Sequence, residues 1–273
     1  MSEITKEISS KHNHLIKLTK SLSNRKFRDK EKLFILEGVR LIEEAVYAGI
    51  NIKFVLYCDK VSSSLRGSRL LEKFKELGIG TFLVEESLFR DLADTENPQG
   101  ILAVAEVLTS SFSDIKINQE SLFLLIDGVQ DPGNLGTMIR TACAAGASGV
   151  VLTKGTVDLF NPKVIRASMG MVFQIPIIVG EDNQSILEFF KDNGFRLLVA
   201  DAKGEKLYYH SDAKGPVVWV LGNEANGPGD FFLNEADEIV SIPLLGQVES
   251  LNVAVAAGIL LFDHVRRRTI LVN

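Results

Sequence analysis

LLIDGVQDPGNLGTMIRTACAAG, residues Leu124 to Gly146, is the stretch that decides the fold class. Its first residues are apolar without interruption. They enter a turn rich in Gly and Pro, and the turn opens a helix whose apolar positions Leu135, Met138, Ile139, Ala142 and Cys143 recur at three and four residues. A strand apolar on every residue and followed at once by a helix belongs to a sheet covered on both faces.

The same pattern continues downstream. Short apolar runs LFLLID, GVVLT, IPIIV, RLLVA, VVWVL and EIVSIPL alternate with the helical patterns NPKVIRASMG, SILEFFKDNG and SLNVAVAAGILLFDHVRRR. Alternation of this kind implies a parallel, doubly wound sheet, in which ligands bind beyond the carboxyl ends of the strands. The loops after the strands are therefore where chemistry is expected.

Upstream, a smaller α/β unit is expected. A basic amphipathic helix over 6–22 leads to KLFILEG, the helix RLIEEAVYAG, KFVLYC, a helix near 68–77, TFLVEE and GILAVAEV. LTSSFSDIKINQE then loses apolar periodicity and reads as a linker. The expected domains are 1–107 and 121–273, joined by 108–120.

Composition sets outer limits. A chain of 273 residues with 46% hydrophobic and 24% charged residues has the make-up of a globular protein. No apolar run is long enough to cross a bilayer, the first residues lack the apolar core of a signal peptide, and a cytoplasmic location is expected. Cys58 and Cys143 have no CxxC partner or His-rich neighbourhood, so neither a disulfide framework nor a metal site is expected. The net charge of -5 conceals an asymmetry: residues 1–40 hold ten Lys and Arg against five acids, leaving the remainder at -10. A basic segment on an acidic body suits a protein that grips phosphate with one part, although a solvated helix face accounts for the charge equally.

Three loops carry polar groups. In the first, Arg140 falls off the apolar stripe of its helix, free to reach the loop mouth or simply to be solvated. The glycines there, Gly128, Gly133 and Gly136, do not form GxGxxG, and GxxxxGK[ST] is absent from the chain, which disfavours a Rossmann oxidoreductase or a P-loop enzyme. The second loop, LGNEANGPG, follows VVWVL and presents Gly222, Asn223 and Glu224 among glycines that permit close backbone approach. The third, IPLLGQVESLNVAVAAG, places Ser250 to cap the terminal helix and sets Asn252 in the first turn of an apolar helix, where a polar side chain needs partners. Two polar side chains at a helix N-terminus suit a polar or anionic ligand.

In this order, NLGTMIR, LGNEANGPG and IPLLGQVESLNVAVAAG resemble the three motifs of the SpoU (TrmH-type) RNA 2'-O-ribose methyltransferases, over residues 121–268. The N-terminal unit, with KLFILEGVRLIEEAV, looks like that family's L30e-like RNA-binding domain. The resemblance implies a trefoil-knotted methyltransferase domain that binds S-adenosyl-L-methionine, works as a homodimer and acts on RNA. Ribosomal RNA, 23S above all, is expected because a separate domain precedes the knot. Transfer RNA, and a non-catalytic RNA-binding protein with a vestigial knot, are the alternatives.

The resemblance also implies a site. Asn134 and Arg140 fall on the first motif, Glu224 on the acid of the second, and Ser250 and Asn252 on the polar pair of the third. Gly222, Asn223, Ile242, Leu244, Leu251 and Asn252 are expected at the cofactor, whose adenine and amino-acid ends the backbone would hold. Arg140 is the group that the family is proposed to use on the ribose hydroxyl. A guanidinium, with a pKa above about 12, is a poor base, so an orienting cation is an equal reading. One departure is visible: Ala225 stands where the second motif commonly has Gly, which requires a negative φ at that position.

Overall fold

The computed structural model describes residues 6–108 and 110–271. The first residues of the basic segment, Thr109 in the expected linker and the last two residues lie outside that description. The chain forms two compact units, Met1–Leu108 with Asp158–Arg166, and Thr109–Val157 with Ala167–Asn273.

The first unit contains β1 (Lys6–Ile8), α1 (His14–Ser21), α2 (Arg25–Glu31), β2 (Leu33–Glu37), α3 (Val39–Tyr47) and β3 (Ile52–Tyr57). It continues through α4 (Asp59–Ser62), α5 (Leu65–Glu76), β4 (Gly80–Val84), α6 (Glu86–Arg90) and β5 (Ile101–Glu106). Among the described residues its sheet runs β1-β4-β3-β5-β2, with β5 antiparallel to both of its neighbours. The expectation of one helix over 6–22 is corrected here. Lys6–Ile8 pairs with β4 because Ile8, opposite Val84, is buried in the core with Phe54, Leu56 and Phe89. Helix begins only after Asn13, whose side-chain oxygen accepts from Leu15 N at 2.8 Å.

Along the rest of the chain come β6 (Leu122–Ile126), α7 (Pro132–Ala144), β7 (Gly149–Leu152), α8 (Pro162–Ala167), β8 (Ile177–Val179) and α9 (Asn183–Asp192). Then follow β9 (Arg196–Ala200), β10 (Lys206–Leu207), β11 (Val217–Leu221), α10 (Asp230–Glu235), β12 (Glu238–Ser241) and α11 (Val253–Leu271). All but the last residue of α8 belongs to the first unit. The sheet is parallel throughout, in the order β10-β12-β9-β11-β6-β7-β8. Every residue of β6 and β11, its central strands, is buried, as uninterrupted apolar runs demand.

One face of that sheet packs on Phe190 and Phe195, whose rings lie 5.3 and 5.4 Å from Phe123. Burying each such ring contributes on the order of 2 kcal/mol. The stretch read as a linker takes part: Phe112 stacks on Phe189 at 3.9 Å, and Ile115 and Ile117 pack against the same core. α7 and α11 pack together, which brings the helix of the first motif beside that of the third.

Candidate active site

Three loops leave the carboxyl ends of β6, β11 and β12. The first is opened by Asp127, whose Oδ2 accepts from Gly229 N at 2.8 Å and whose Oδ1 accepts from the Thr153 hydroxyl at 2.8 Å. That one carboxylate ties the loops after β6, β7 and β11 together. Asp131 then caps α7, its side chain accepting from Asn134 N at 2.8 Å, and Pro132 occupies the first turn, where no N–H is required.

The second loop folds on itself. Asn223 and Gly227 exchange backbone hydrogen bonds of 2.9 Å, and the Asn223 side chain donates to Gly128 O at 2.8 Å. Gly227 takes the left-handed conformation, with φ at 73°. Gly222 has no room for a side chain, since a Cβ would lie 2.0 Å from the Gly227 carbonyl carbon and from Pro228 N. Ala225 is not among the described residues with positive φ, so the departure from the family's pattern carries no strain.

Glu224 is the junction. Its Oε1 accepts from Asp131 N at 3.1 Å and Asn134 Nδ2 at 3.0 Å, and its Oε2 from Gln130 N at 3.1 Å. Desolvation raises its pKa, but these donors and its own backbone N–H outweigh that, and the net direction is downward. Asn134 Oδ1 in turn accepts from Asn252 Nδ2 at 2.9 Å, and Asn252 Oδ1 accepts from Ala254 N at 3.0 Å and Val255 N at 3.2 Å. One polar chain thus runs from the second loop through the first to the N-terminus of α11.

Two expectations change. Asn252, not Ser250, caps α11. Nor is Asn252 a buried residue of the first turn: it is exposed, and the cap and Asn134 are the partners it required. Ser250 is exposed and makes no side-chain hydrogen bond among the described residues, so the structure does not join it to the network. Arg140 is exposed on α7 and likewise has no polar partner among the described residues.

The third loop behaves differently from the other two. From Pro243 to Ser250 no hydrogen bond to the rest of the chain is formed among the described residues, by backbone or side chain. Leu244 is half-buried, Leu245 and Val248 are exposed, and Leu251 is 36% exposed. Ile242 is half-buried at the end of β12. A run of free amides and carbonyls with apolar side chains between them fits a ligand with a flat heterocycle and polar ends. Of the residues expected at a cofactor, Ile242, Leu244 and Leu251 lie in or beside this loop, Gly222 and Asn223 in the second loop, and Asn252 at the start of α11.

Asp127, Asp131, Gln130 and Thr153 escaped the sequence reading. Asp131-Pro132-Gly133 carried a usable signal, an N-cap followed by Pro at the first helical position. Asp127 and Thr153 carried none, because their pairing joins different strands.

Residues 121–262 match the SpoU rRNA Methylase family, and residues 13–103 match an MRM3-like substrate binding domain. The chain is 37% identical, over 96% of its length and 99% of the relative's, to the 23S rRNA (guanosine(2553)-2'-O)-methyltransferase of Bacillus subtilis. An AdoMet-bound rRNA methyltransferase from Sinorhizobium meliloti superposes with a TM-score of 0.87 at 33% identity, covering 96% of this chain and 98% of that one. The SpoU methyltransferase AviRb from Streptomyces viridochromogenes, in complex with AdoMet, gives 0.86 at 28% identity, covering 94% and 99%.

Proposed function

The chain belongs to the SpoU rRNA methylase family, and we infer that it is an S-adenosylmethionine-dependent methyltransferase acting on a ribose 2'-hydroxyl of 23S ribosomal RNA. The observation that carries this reading is the hydrogen-bonded chain Glu224–Asn134–Asn252, which links all three motif loops at the carboxyl edge of a parallel sheet.

When bound, S-adenosylmethionine supplies an electrophilic methyl group. The chain's own task is then to hold the ribose hydroxyl in line while its proton passes to the neighbouring phosphate of the RNA or to water, and positioning of this kind accounts for much of a rate enhancement. Glu224, kept ionised by its donors, fixes the first turn of α7 and so the direction in which Arg140 projects, two turns further on. We assign Arg140 to the ribose and its neighbouring phosphate, as an orienting cation. Asn252 holds the entrance of α11, and Ser250 completes the site once the third loop has ligand against it. We further propose the trefoil knot, a cytoplasmic location and a homodimer. Val255 and Phe262, two turns apart on α11 and 52% and 48% exposed, support the dimer. No helix among the described residues is long and apolar enough to cross a membrane.

The test is transfer of labelled methyl from S-adenosylmethionine to RNA from cells lacking the protein, with 23S, 16S and transfer RNA separated. Label in 23S RNA that Arg140→Ala abolishes supports the reading; label confined to transfer RNA overturns the substrate, and binding of RNA without transfer to any species overturns the enzyme. Light scattering at micromolar concentration tests the dimer.

A further inference from the structure

The first unit holds a cavity of about 160 Å³, between α1, β2, the turn after α6 and the segment Asp158–Arg166. Its far wall is anchored. Arg28, 4% exposed, donates from Nη1 to Leu22 O at 2.7 Å and Ser23 O at 2.8 Å, and from Nε to Asp158 Oδ2 at 2.9 Å. The Phe160 ring lies 4.8 Å from that of Phe34. A wall held by a buried ion pair and a ring contact is in place before any ligand arrives.

The polar groups of the lining are only partly used. Glu37 accepts from Asp94 N at 2.9 Å and from the Thr95 hydroxyl, and Asp94 pairs with Arg166 Nη2 at 2.7 Å. Arg166 Nη1 is buried without a partner among the described residues. Lys20 and Asp91 have none among the described residues. Three carboxylates against two cations make a poor phosphate site, and no group of three or more metal-ligating side chains occurs among the described residues. What remains is a neutral ligand that both donates and accepts, and apolar Leu92 and Pro162 in the lining suit a flat one.

A nucleobase unstacked from single-stranded RNA has these properties. Guanine fits the polar groups most fully. Its N1–H and N2–H₂ are adjacent donors for a carboxylate, and its O6 and N7 are adjacent acceptors for a cation. We propose that this cavity takes up an unpaired guanine of the RNA substrate, with Asp91 on its donor edge and Lys20 and Arg166 on its O6 and N7 edge. The proposal rests on the RNA-methyltransferase reading. It concerns the first unit alone, to which every lining residue belongs.

The experiment uses the full chain and fluorescein-labelled pentaribonucleotides UUGUU, UUAUU, UUCUU and UUUUU, titrated by anisotropy. UUGUU is expected to bind about tenfold more tightly than the others. Asp91→Asn and Lys20→Ala are each expected to abolish that preference, and Lys75→Ala, on α5, to retain it. Neither Asp91 nor Lys20 holds another residue in place, so both variants should fold. Equal affinity for the four, no affinity for any, or a preference that survives both substitutions overturns the proposal. Methyl transfer to 23S RNA is measured alongside: transfer without guanine preference overturns the cavity alone, whereas guanine preference without transfer supports the cavity and overturns the enzymatic reading.

Discussion

The loop after β11 and the loop after β12 stand at the same edge of the sheet, yet they are built in opposite ways. The first is closed on itself, with Asn223, Glu224 and Gly227 all hydrogen-bonded within the chain. The second, from Pro243 to Ser250, keeps its polar groups unpaired among the described residues. A loop that satisfies its own groups can place a carboxylate before a ligand is present. A loop that does not is open to bonds with a ligand, and ordering it then uses part of the binding energy. The two meet at Asn252, which joins the ordered network to the helix following the open loop.

The sharpest way to break this contrast is at Arg140, the cation that the ordered side presents. Arg140→Ala is expected to lower kcat by about a hundred- to a thousandfold while S-adenosylmethionine affinity, read by calorimetry, stays within about twofold. A parallel loss of cofactor affinity would place Arg140 in the cofactor site instead.

His264 extends the contrast into α11. It is 2% exposed, neither ring nitrogen has a partner among the described residues, and its pKa is pushed down to about 4 by burial and by Arg268 and Arg267. The folded state therefore resists protonation more than the unfolded chain does. This contribution is complete above pH 6.5 and is lost as the pH falls toward 4, amounting to on the order of 3 kcal/mol. His264→Leu should remove that acid-dependent step from urea unfolding curves recorded between pH 7 and pH 4.

Glu224→Gln tests the ordered loop directly. An amide nitrogen would face the N–H groups of Gln130 or Asp131, leaving donor against donor, at a cost of about 1–2 kcal/mol in denaturant unfolding at pH 7. Because the Glu224 pKa is lowered in the fold, its stabilisation is full above the ordinary value of 4.5 and declines as pH drops below it. The gap between wild type and variant should narrow over that acid range. A gap independent of pH would mean that the carboxylate's charge is not what the donors hold.

The smallest effects separate neighbours two residues apart. Asn252→Ala removes the cap of α11 and should cost about 1 kcal/mol. Ser250→Ala should leave stability within about 0.5 kcal/mol and lower only turnover or cofactor affinity. Equal destabilisation by both would show that the third loop is ordered without ligand.

Much of this was legible in the chain itself. The parallel sheet followed from runs such as VVWVL, because a residue apolar on both faces of a strand has only a doubly covered sheet to enter. Arg140, Asn134 and Glu224 were named from motif order, and the structure brings Glu224 and Asn134 within 3.0 Å. Three things were decided by tertiary structure. Lys6–Ile8 became a strand because β4 offered an edge and the core a place for Ile8, and local periodicity cannot register a partner 76 residues away. The cap passed from Ser250 to Asn252 because Asn134, on another helix, anchors the amide. Asp158–Arg166 joined the first unit because Arg28, buried on α2, needed a counter-ion, and the pairing spans 130 residues. Apolar pattern is local and repeated, so a sequence displays it. The partner of a polar side chain is a single distant group, and only the folded chain selects it.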